Sequence, residues 1–561
     1  MKLLWLDLNS SYAHSSLALP ALHAQTGDSD GIEWSVVSAT INENIGMVVG
    51  KMHQQQPDII AATCWLFNHE VLLHILSRVH ALLPHCILIL GGPEFLGDNK
   101  EFLNNHSYID FVFRGEGEES FPKWLKVIQE QPREDWQKSM QIPGVCYLDE
   151  CRNYVDNGIA RVMDFARLVS PERSRFFNWS KPFVQLETTR GCFNTCAFCV
   201  SGGEKPVRVL SIEAICERLK EIHEHGIKNV RVLDRTFNYN NKRAKELLNL
   251  FLEYSPDIQF HLEIHPALLS DELKQELAVL PKGLLHLEAG IQSLRESVLQ
   301  RSRRIGTLAD ALEGLKYLCS LNNMETHADL IAGLPLYRLS EIFEDVRTLA
   351  EYGAGEIQLE SLKLLPGTDM RNRADELGIR VSPLPPYEVL QTEEISIEEL
   401  QTAMRLSRLL DGFYNAPTWQ KITRKLIVEK ECFLTDFLAH LTQTDVIDNP
   451  LSLEKRGLIL YDFCKKHYPA YQTAMSIAWI EAGMSLKKAP AERVRTKRQQ
   501  PPPQWEVCYG EYRDQLRLCF LPTEEGGEKG YWFGFESEIQ KPEPVFMAIS
   551  HTPIRTKIDI E

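Results

Sequence analysis

At 561 residues, with 44% hydrophobic and 25% charged residues, the chain has the composition of a globular protein of about two to four domains. Its formal charge of −16 argues against a dedicated nucleic-acid binder, which needs local positive potential. Its longest apolar runs, such as Cys86 to Leu90, fall far short of the ~20 residues of a membrane-spanning helix. Thirteen cysteines, odd in number and scattered outside one triplet, suit free thiols in a reducing cytoplasm.

Strand and helix patterns alternate over residues 1–150. The start, Leu3 to Leu8, reads as a buried strand rather than a signal peptide. Asn9 to Ser16 is a polar loop leading into the apolar helical run from Leu17. Further strands are predicted at Trp34–Val37, Ile59–Thr63, Ile87–Leu90 and Phe111–Phe113. The last three end at Cys64-Trp65, Gly91-Gly92-Pro93-Glu94 and Arg114-Gly115-Glu116-Gly117-Glu118. Such alternation implies an α/β fold, a Rossmann-like doubly wound parallel sheet whose ligands bind past the strand C-terminal ends. A G-x-G-x-x-G fingerprint is missing, which argues against a dinucleotide.

After a stretch over 151–181 that reads as a linker, the apolar run Pro182 to Leu186 leads into a loop with Cys192, Cys196 and Cys199. This C-x3-C-x2-C spacing lets three thiolates converge on one metal centre. Zinc normally takes four ligands, and no Cys or His lies between Cys199 and Cys216. A disulfide would leave one cysteine over. Strand–helix repeats resume at Val230–Leu233, Phe260–Leu262, Leu284–Leu287, Glu325–Ala328 and Glu356–Leu359, and each strand ends in polar residues. With the strand before the cysteine loop this makes about six β/α units, with the polar groups on the functional face of a parallel barrel.

The cysteine array resembles that of the radical S-adenosylmethionine (radical SAM) family. Membership implies a partial (β/α)6 barrel and a 4Fe-4S cluster whose open iron chelates the methionine end of S-adenosylmethionine, a source of the 5′-deoxyadenosyl radical. Gly202-Gly203-Glu204 matches the family's G-G-E element, which holds the methionine amino group. Glu288, Gln292 and Ser293 match its E-x-G-x-Q-S segment, and Arg304 a basic position that pairs with the methionine carboxylate. Asp329 to Pro335, including Gly333, matches its D-L-I-x-G-L-P stretch near adenine and ribose. Phe198 and the strand-end acids Asp234 and Glu263 complete the set the resemblance implies.

The first segment in turn resembles the cobalamin-binding domain placed before many radical SAM domains. The resemblance implies cobalamin contacts from Asn9, Ser10, Tyr12, His14 and Ser15, from Cys64 and Trp65, from Gly91, Gly92 and Glu94, and from Gly115, Glu116 and Gly117. His14 lacks the D-x-H-x-x-G setting of a cobalt-ligating histidine, so it is not assigned to the metal. Glycines used only for tight turns are the alternative.

Pro383 to Pro386 reads as a hinge. Beyond it Ile397 to Tyr414 and Lys425 to Thr442 show helical spacing, broken at Asn415-Ala416-Pro417. Lys487 to Pro503 reads as a basic linker, followed by a small aromatic β unit with a turn at Gly526-Gly527. The expected domains are thus 1–150, 182–385, 386–490 and 491–561, and this tail resembles that of a cobalamin-type radical SAM subgroup with an uncharacterised helical C-terminal domain. The implied activity is a cytoplasmic methyltransferase acting on an unactivated carbon or phosphorus of a small molecule, lipid or peptide. A flavodoxin or ferredoxin would supply its electrons. A radical cyclase, rearrangement enzyme or oxidoreductase with cobalamin as electron carrier is the alternative, and a non-catalytic iron-sulfur/cobalamin sensor is the alternative of another class.

Overall fold

The computed structural model describes residues 1–14, 16–27, 31–132, 135–485 and 488–491, with the backbone of four strands beyond them. Ser15, most of the basic run 487–503 and the turn at Gly526-Gly527 lie outside the described residues. The chain forms two compact units, Met1–Ile342 with Glu360–Leu400, and Phe343–Leu359 with Gln401–Glu561.

The first unit opens with a seven-stranded sheet of β1 (Lys2–Asn9), β2 (Glu33–Thr40), β3 (Ile59–Thr63), β4 (Ile87–Gly91), β5 (Phe111–Phe113), β6 (Val145–Leu148) and β7 (Tyr154–Asp156), in the order β2-β1-β3-β4-β5-β6-β7. The first five strands are parallel, and β6 and β7 add on antiparallel. Alternate β1 side chains serve opposite cores. Leu4, Leu6 and Leu8 pack with Val48, Met52, Leu72 and Leu76 on one face, and Leu3 and Trp5 with Leu19, Phe121 and Trp124 on the other. Helices on both faces bury every inward position, which is why these strands read as nearly continuous apolar runs. The order reverses between β1 and β3, so the loops after those strands border a crevice at the carboxyl edge. Sequence periodicity missed β6 and β7, which are four and three residues of weak pattern completed by pairing.

A second parallel sheet follows. Its strands in this unit are β8 (Val184–Leu186), β11 (Asn229–Val232), β12 (Gln259–Ile264), β13 (Leu285–Gln292) and β14 (Glu325–Ala332), adjacent in that order. Between β8 and β11 a hairpin of β9 (Thr189–Arg190) and β10 (Arg208–Val209) carries the cysteine loop. A sixth strand, β15 (Glu356–Ser361), comes after the helix Leu339–Tyr352, completing six β/α repeats in chain order. The outward face is apolar and buried: Val230 and Val232, Phe260, Leu262 and Ile264, Leu285, Leu287 and Ala289. The opposite face carries Arg231, His261, Glu263, His286, Glu288, His327 and Asp329. A packed barrel fills its interior with branched apolar side chains; this sheet keeps an ionisable interior, which suits a functional lumen.

The expected hinge at 383–386 lies inside the first unit, between β16 (Arg380–Val381) and β17 (Val389–Gln391). There Tyr387, at φ 58°, donates its hydroxyl to the buried Glu94 at the end of β4, while the Arg371 guanidinium lies 4.3 Å over its ring. Burial raises the Glu94 carboxyl above the ordinary carboxylate range.

The second unit is mainly helical, with helices Pro417–Glu429, Phe433–Gln443, Leu453–His467 and Gln472–Glu481. The helical pattern over Lys425 to Thr442 is two helices, parted at Lys430–Cys432, because Phe433 turns in to pack with Phe437 and Phe463. Four backbone strands, β18 (Leu516–Pro522), β19 (Gly530–Glu536), β20 (Pro544–Ile549) and β21 (Thr556–Lys557), form an antiparallel meander.

Trp419 is fully buried and bonds the Leu453 carbonyl through Nε1 at 3.0 Å, lying flat against Gly457, where a Cβ would come within 2.3 Å of its ring. Gly457→Ala gains about 1 kcal/mol of helix propensity but must displace the indole, at about 1–3 kcal/mol. The expected result is net destabilisation of the second unit, read as a lower denaturant midpoint. A midpoint raised by the substitution would show that the indole moves freely.

Candidate functional site

The cysteine loop is fixed from several sides. Cys192 N donates to Glu204 O at 3.0 Å and Cys199 N to Cys196 O at 3.2 Å. Gly203 N donates to Asn194 O at 2.7 Å, and the buried Asn194 side chain accepts from Ile305 N at 3.0 Å. Ala197 N reaches Ser302 O at 2.9 Å. A Cβ on Gly202 would stand 2.3 Å from the Cys196 carbonyl and 3.0 Å from that of Cys199, so only glycine closes this turn.

The loop faces a cavity of about 170 Å³. Its wall holds Cys192, Cys196 and Cys199, with Phe198 and Gly202 from the loop and Glu263, Glu288, Gln292, Arg304 and Asp329 from the barrel. Parallel register brings the acids together: Glu263 pairs with Glu288 across β12 and β13, and Gly290 with Asp329 across β13 and β14. A bulge between Gly290 and Gln292 breaks the alternation. Gln292 takes φ 71° there and folds its amide over Gly290, where a Cβ would meet it at 2.6 Å. Arg304 donates to the Gly290 carbonyl and places Nη1 3.7 Å from Cys196 Sγ.

Charge on the wall is set by burial and by a histidine cluster. Burial pushes the Cys192 and Cys196 thiols up, so both want a cationic partner before they ionise. Burial also pushes Glu263 up to about 7, against Arg235 and with Glu288. Glu288 is held below the ordinary carboxylate range by His261, whose Nε2 lies 3.0 Å from its Oε2. His261 stacks on His286 at 4.8 Å, and His286 Nε2 lies 3.4 Å from His327 Nδ1.

Other positions of the expected S-adenosylmethionine set stand off this wall. Asp234 is buried and its carboxylate accepts the backbone N–H groups of Thr188 and Thr189, each at 2.8 Å, and the Thr188 hydroxyl. The Glu204 carboxylate is turned to Arg208 at 2.7 Å and Arg161 at 3.3 Å. Gly203, Ser293 and Gly333 do not line the cavity. Six wall residues lie outside the expected set: Asn194, Arg235, Thr236, Ile264, His265 and Gly290. His265 is 4% exposed, its ring nitrogens have no hydrogen-bond partner, and burial pushes it down to about 3. Its signal was the His-Pro step at 265–266, just past the last residue of β12 and two residues after Glu263.

At the carboxyl edge of the first sheet, Tyr12, Trp65 and Phe67 are exposed, and the Trp65 and Phe67 rings are near parallel at 12°. His14 is exposed too, with Nδ1 2.8 Å from Ser11 Oγ. Asn9 is buried and bonds Asp7 at 2.9 Å, whereas Ser10 and Gly91 are half-buried. Several remaining positions are engaged by the fold itself. Cys64 is fully buried. A Cβ on Gly92 would meet the Cys64 carbonyl at 2.6 Å, one on Gly115 the Ala160 carbonyl at 2.3 Å, and one on Gly117 the Leu22 side chain at 3.1 Å. Glu94 is taken by Tyr387, and Glu116 by Arg208 at 2.7 Å.

The donor sets fit the two resident groups differently. Three cysteine sulfurs on one cavity wall, in a loop closed by glycine, fit an iron-sulfur cluster with one iron left open. Exposed near-parallel aromatics at a sheet's switch point fit a bulky flat macrocycle.

Residues 186–349 match the model of the radical SAM superfamily, 6–125 that of the B12 binding domain, and 375–478 a family described as a protein of unknown function (DUF4080). The cobalamin-dependent radical SAM methyltransferase TokK of Streptomyces tokunonensis is 22% identical over 59% of this chain and 51% of its own. The chain thus spans about half the length of the curated relatives it matches. Among solved structures, the radical S-adenosylmethionine methyltransferase TsrM from Kitasatospora setae aligns with TM-score 0.56 at 17% identity, covering 70% of this chain and 80% of that one. The cobalamin-dependent S-adenosylmethionine radical enzyme OxsB aligns with TM-score 0.60 at 15% identity, covering 83% and 75%. Both are likenesses of fold. In the described residues no helix is long and apolar enough to cross a membrane.

The raised Glu263 carboxyl sets a pH dependence in the ligand-free chain. Its ordinary value is 4.5 and its folded value about 7, so the folded state holds the extra proton between them. Stability should therefore fall as pH rises from about 4.5 to 7, with the full cost above 7 and none below 4.5. Glu263→Gln should match the parent at pH 4 and exceed it at pH 8 by roughly 3 kcal/mol. Urea unfolding at both pH values checks this; equal differences at the two would refute the assignment.

Proposed function

We propose, from the premise that this chain is a radical SAM protein fronted by a B12-binding domain, that it is a cobalamin-dependent methyltransferase acting on an unactivated carbon or phosphorus centre. The observation that carries this reading is the single cavity shared by Cys192, Cys196, Cys199 and the strand-end groups Glu263, Glu288, Gln292, Arg304 and Asp329. When bound, the cluster supplies a low-potential electron to the sulfonium of S-adenosylmethionine, and cobalamin carries a methyl group.

The chain's own residues bind, orient and exclude water. The three cysteines hold the cluster, and Arg304, fixed by the Gly290 carbonyl, presents its guanidinium to the methionine carboxylate. Glu288, kept ionised by His261, offers a negative charge to a cationic ligand. Gln292 and Asp329 supply hydrogen-bonding groups for the ribose and adenine. Tyr12, Trp65 and Phe67 would lie against the corrin. In this reading residues 1–150 hold cobalamin, and 182–385 hold the cluster and S-adenosylmethionine. The protein works in the cytoplasm with a reductant of the flavodoxin or ferredoxin class.

Replacing any of Cys192, Cys196 or Cys199 by Ala is expected to drop anaerobically reconstituted iron from near four per chain to a small residue and abolish 5′-deoxyadenosine and S-adenosylhomocysteine formation under dithionite. Gly202→Ala, which adds a Cβ against the Cys196 carbonyl, should do the same with all cysteines present. Iron loading that survives the triple alanine variant would remove the basis of the reading. Strains with and without the protein, fed deuterated methyl-methionine, test the reaction. A compound lost on deletion should carry one labelled methyl group; an unlabelled one would favour cyclisation or rearrangement.

A further inference from the structure

The hairpin that carries the cysteine loop has arginines facing each other at its base. Arg190 of β9 and Arg208 of β10 are register partners. Like charges directly opposite destabilise a strand pair, so anions must stand beside them: Glu187 bonds Arg190 at 2.8 Å, and two more come from the loop after β5. Glu116 accepts both terminal nitrogens of Arg208, at 2.8 and 2.7 Å, and lies 3.7 Å from Arg190. Glu118 takes Arg190 Nη2 at 2.7 Å. Glu116 Oε2 also accepts Val162 N at 2.7 Å, so neither of its oxygens is left for a ligand.

From Arg208 the connection runs straight into the cysteine loop. Arg208 Nη2 also bonds the Glu204 carboxylate at 2.7 Å, and the Glu204 carbonyl accepts Cys192 N at 3.0 Å. The Arg208 side chain is 7% exposed, Glu116 16% and Glu204 20%, so the pairs are little screened by solvent. Gly115 and Gly117, which flank Glu116, belong to the set assigned to cobalamin. Three contacts of 2.7, 2.7 and 3.0 Å thus join that loop to a cluster ligand.

We propose that Arg208 is a positioning residue that couples loop 115–118, within the segment that matches the B12 binding domain, to the cluster loop, so that seating a corrinoid changes affinity at the cluster site. The proposal rests on the reading that residues 1–150 hold cobalamin. A coupling free energy is reciprocal: whatever factor S-adenosylmethionine gains from cobalamin, cobalamin gains from S-adenosylmethionine. An ordinary structural ion pair would lower stability when broken but would leave no such shared factor.

The test uses the full chain, reconstituted anaerobically with iron and sulfide. Hydroxocobalamin is titrated by absorbance with and without saturating S-adenosylmethionine, and S-adenosylmethionine with and without hydroxocobalamin. The parent should show one common factor, roughly 5–150-fold, in both directions of titration. Arg208→Met, still carrying its iron, should bring that factor to about one. Should Arg208→Met fail to fold, Glu116→Gln weakens the same link from the other side and should likewise bring the factor toward one. An unaltered factor in Arg208→Met or Glu116→Gln overturns the proposal. A parent that binds hydroxocobalamin with no coupling overturns it too but leaves the cobalamin reading standing. A parent that binds no hydroxocobalamin removes both.

Discussion

Parallel strands all end on one edge of their sheet, and both sheets of the first unit depend on that constraint. Helices cover the apolar faces, so the chain can place polar groups only where strands stop or along a face no helix covers. In the second sheet both options are used. Glu263, Glu288 and Asp329 stand near the strand ends, and Arg231, His261, His286 and His327 continue the polar face inward. Register, rather than any single residue, makes these groups neighbours.

Burial supplies the second half of the chemistry. An ionisable group taken from water shifts toward its neutral form unless a partner is provided. Glu288 has a hydrogen-bonded partner in His261 and is held low, while Glu263, one strand away, feels Arg235 and His261 only through space and burial outweighs them. Two carboxyl groups in register therefore shift in opposite directions because one imidazole bonds only one of them. The thiols of Cys192 and Cys196 lie on the neutral side of the same balance. Strong desolvation of a thiol makes a metal the natural counter-charge.

Much of this was legible in the amino-acid order because its signals are local. The cysteine spacing, the five parallel strands of the first sheet, the six β/α repeats and the strand-end acids each occupy a few consecutive residues. Contacts distant in sequence were not legible. Nothing near Glu116 announces Arg208, 92 residues on, and nothing near Glu94 announces Tyr387. For that reason a purely local reading gives Glu94, Glu116, Gly92 and Gly115 to a ligand, although the folded chain engages each of them itself. Asp234 is a similar case, since its three donors come from Thr188 and Thr189 on the neighbouring β8–β9 segment. His265 escaped notice because the strand before it runs two residues further than its apolar pattern.

The clasp between Glu94 and Tyr387 has a consequence for synthesis on the ribosome. Its two partners lie 293 residues apart. At about 5–20 residues per second, Glu94 is made roughly 15–60 seconds before the phenol that covers it. Through that interval the nascent first sheet carries a carboxyl group in an apolar setting, bare of its eventual donor. Until the 380–391 segment emerges, water is the donor that must stand in for the Tyr387 hydroxyl at that carboxyl group.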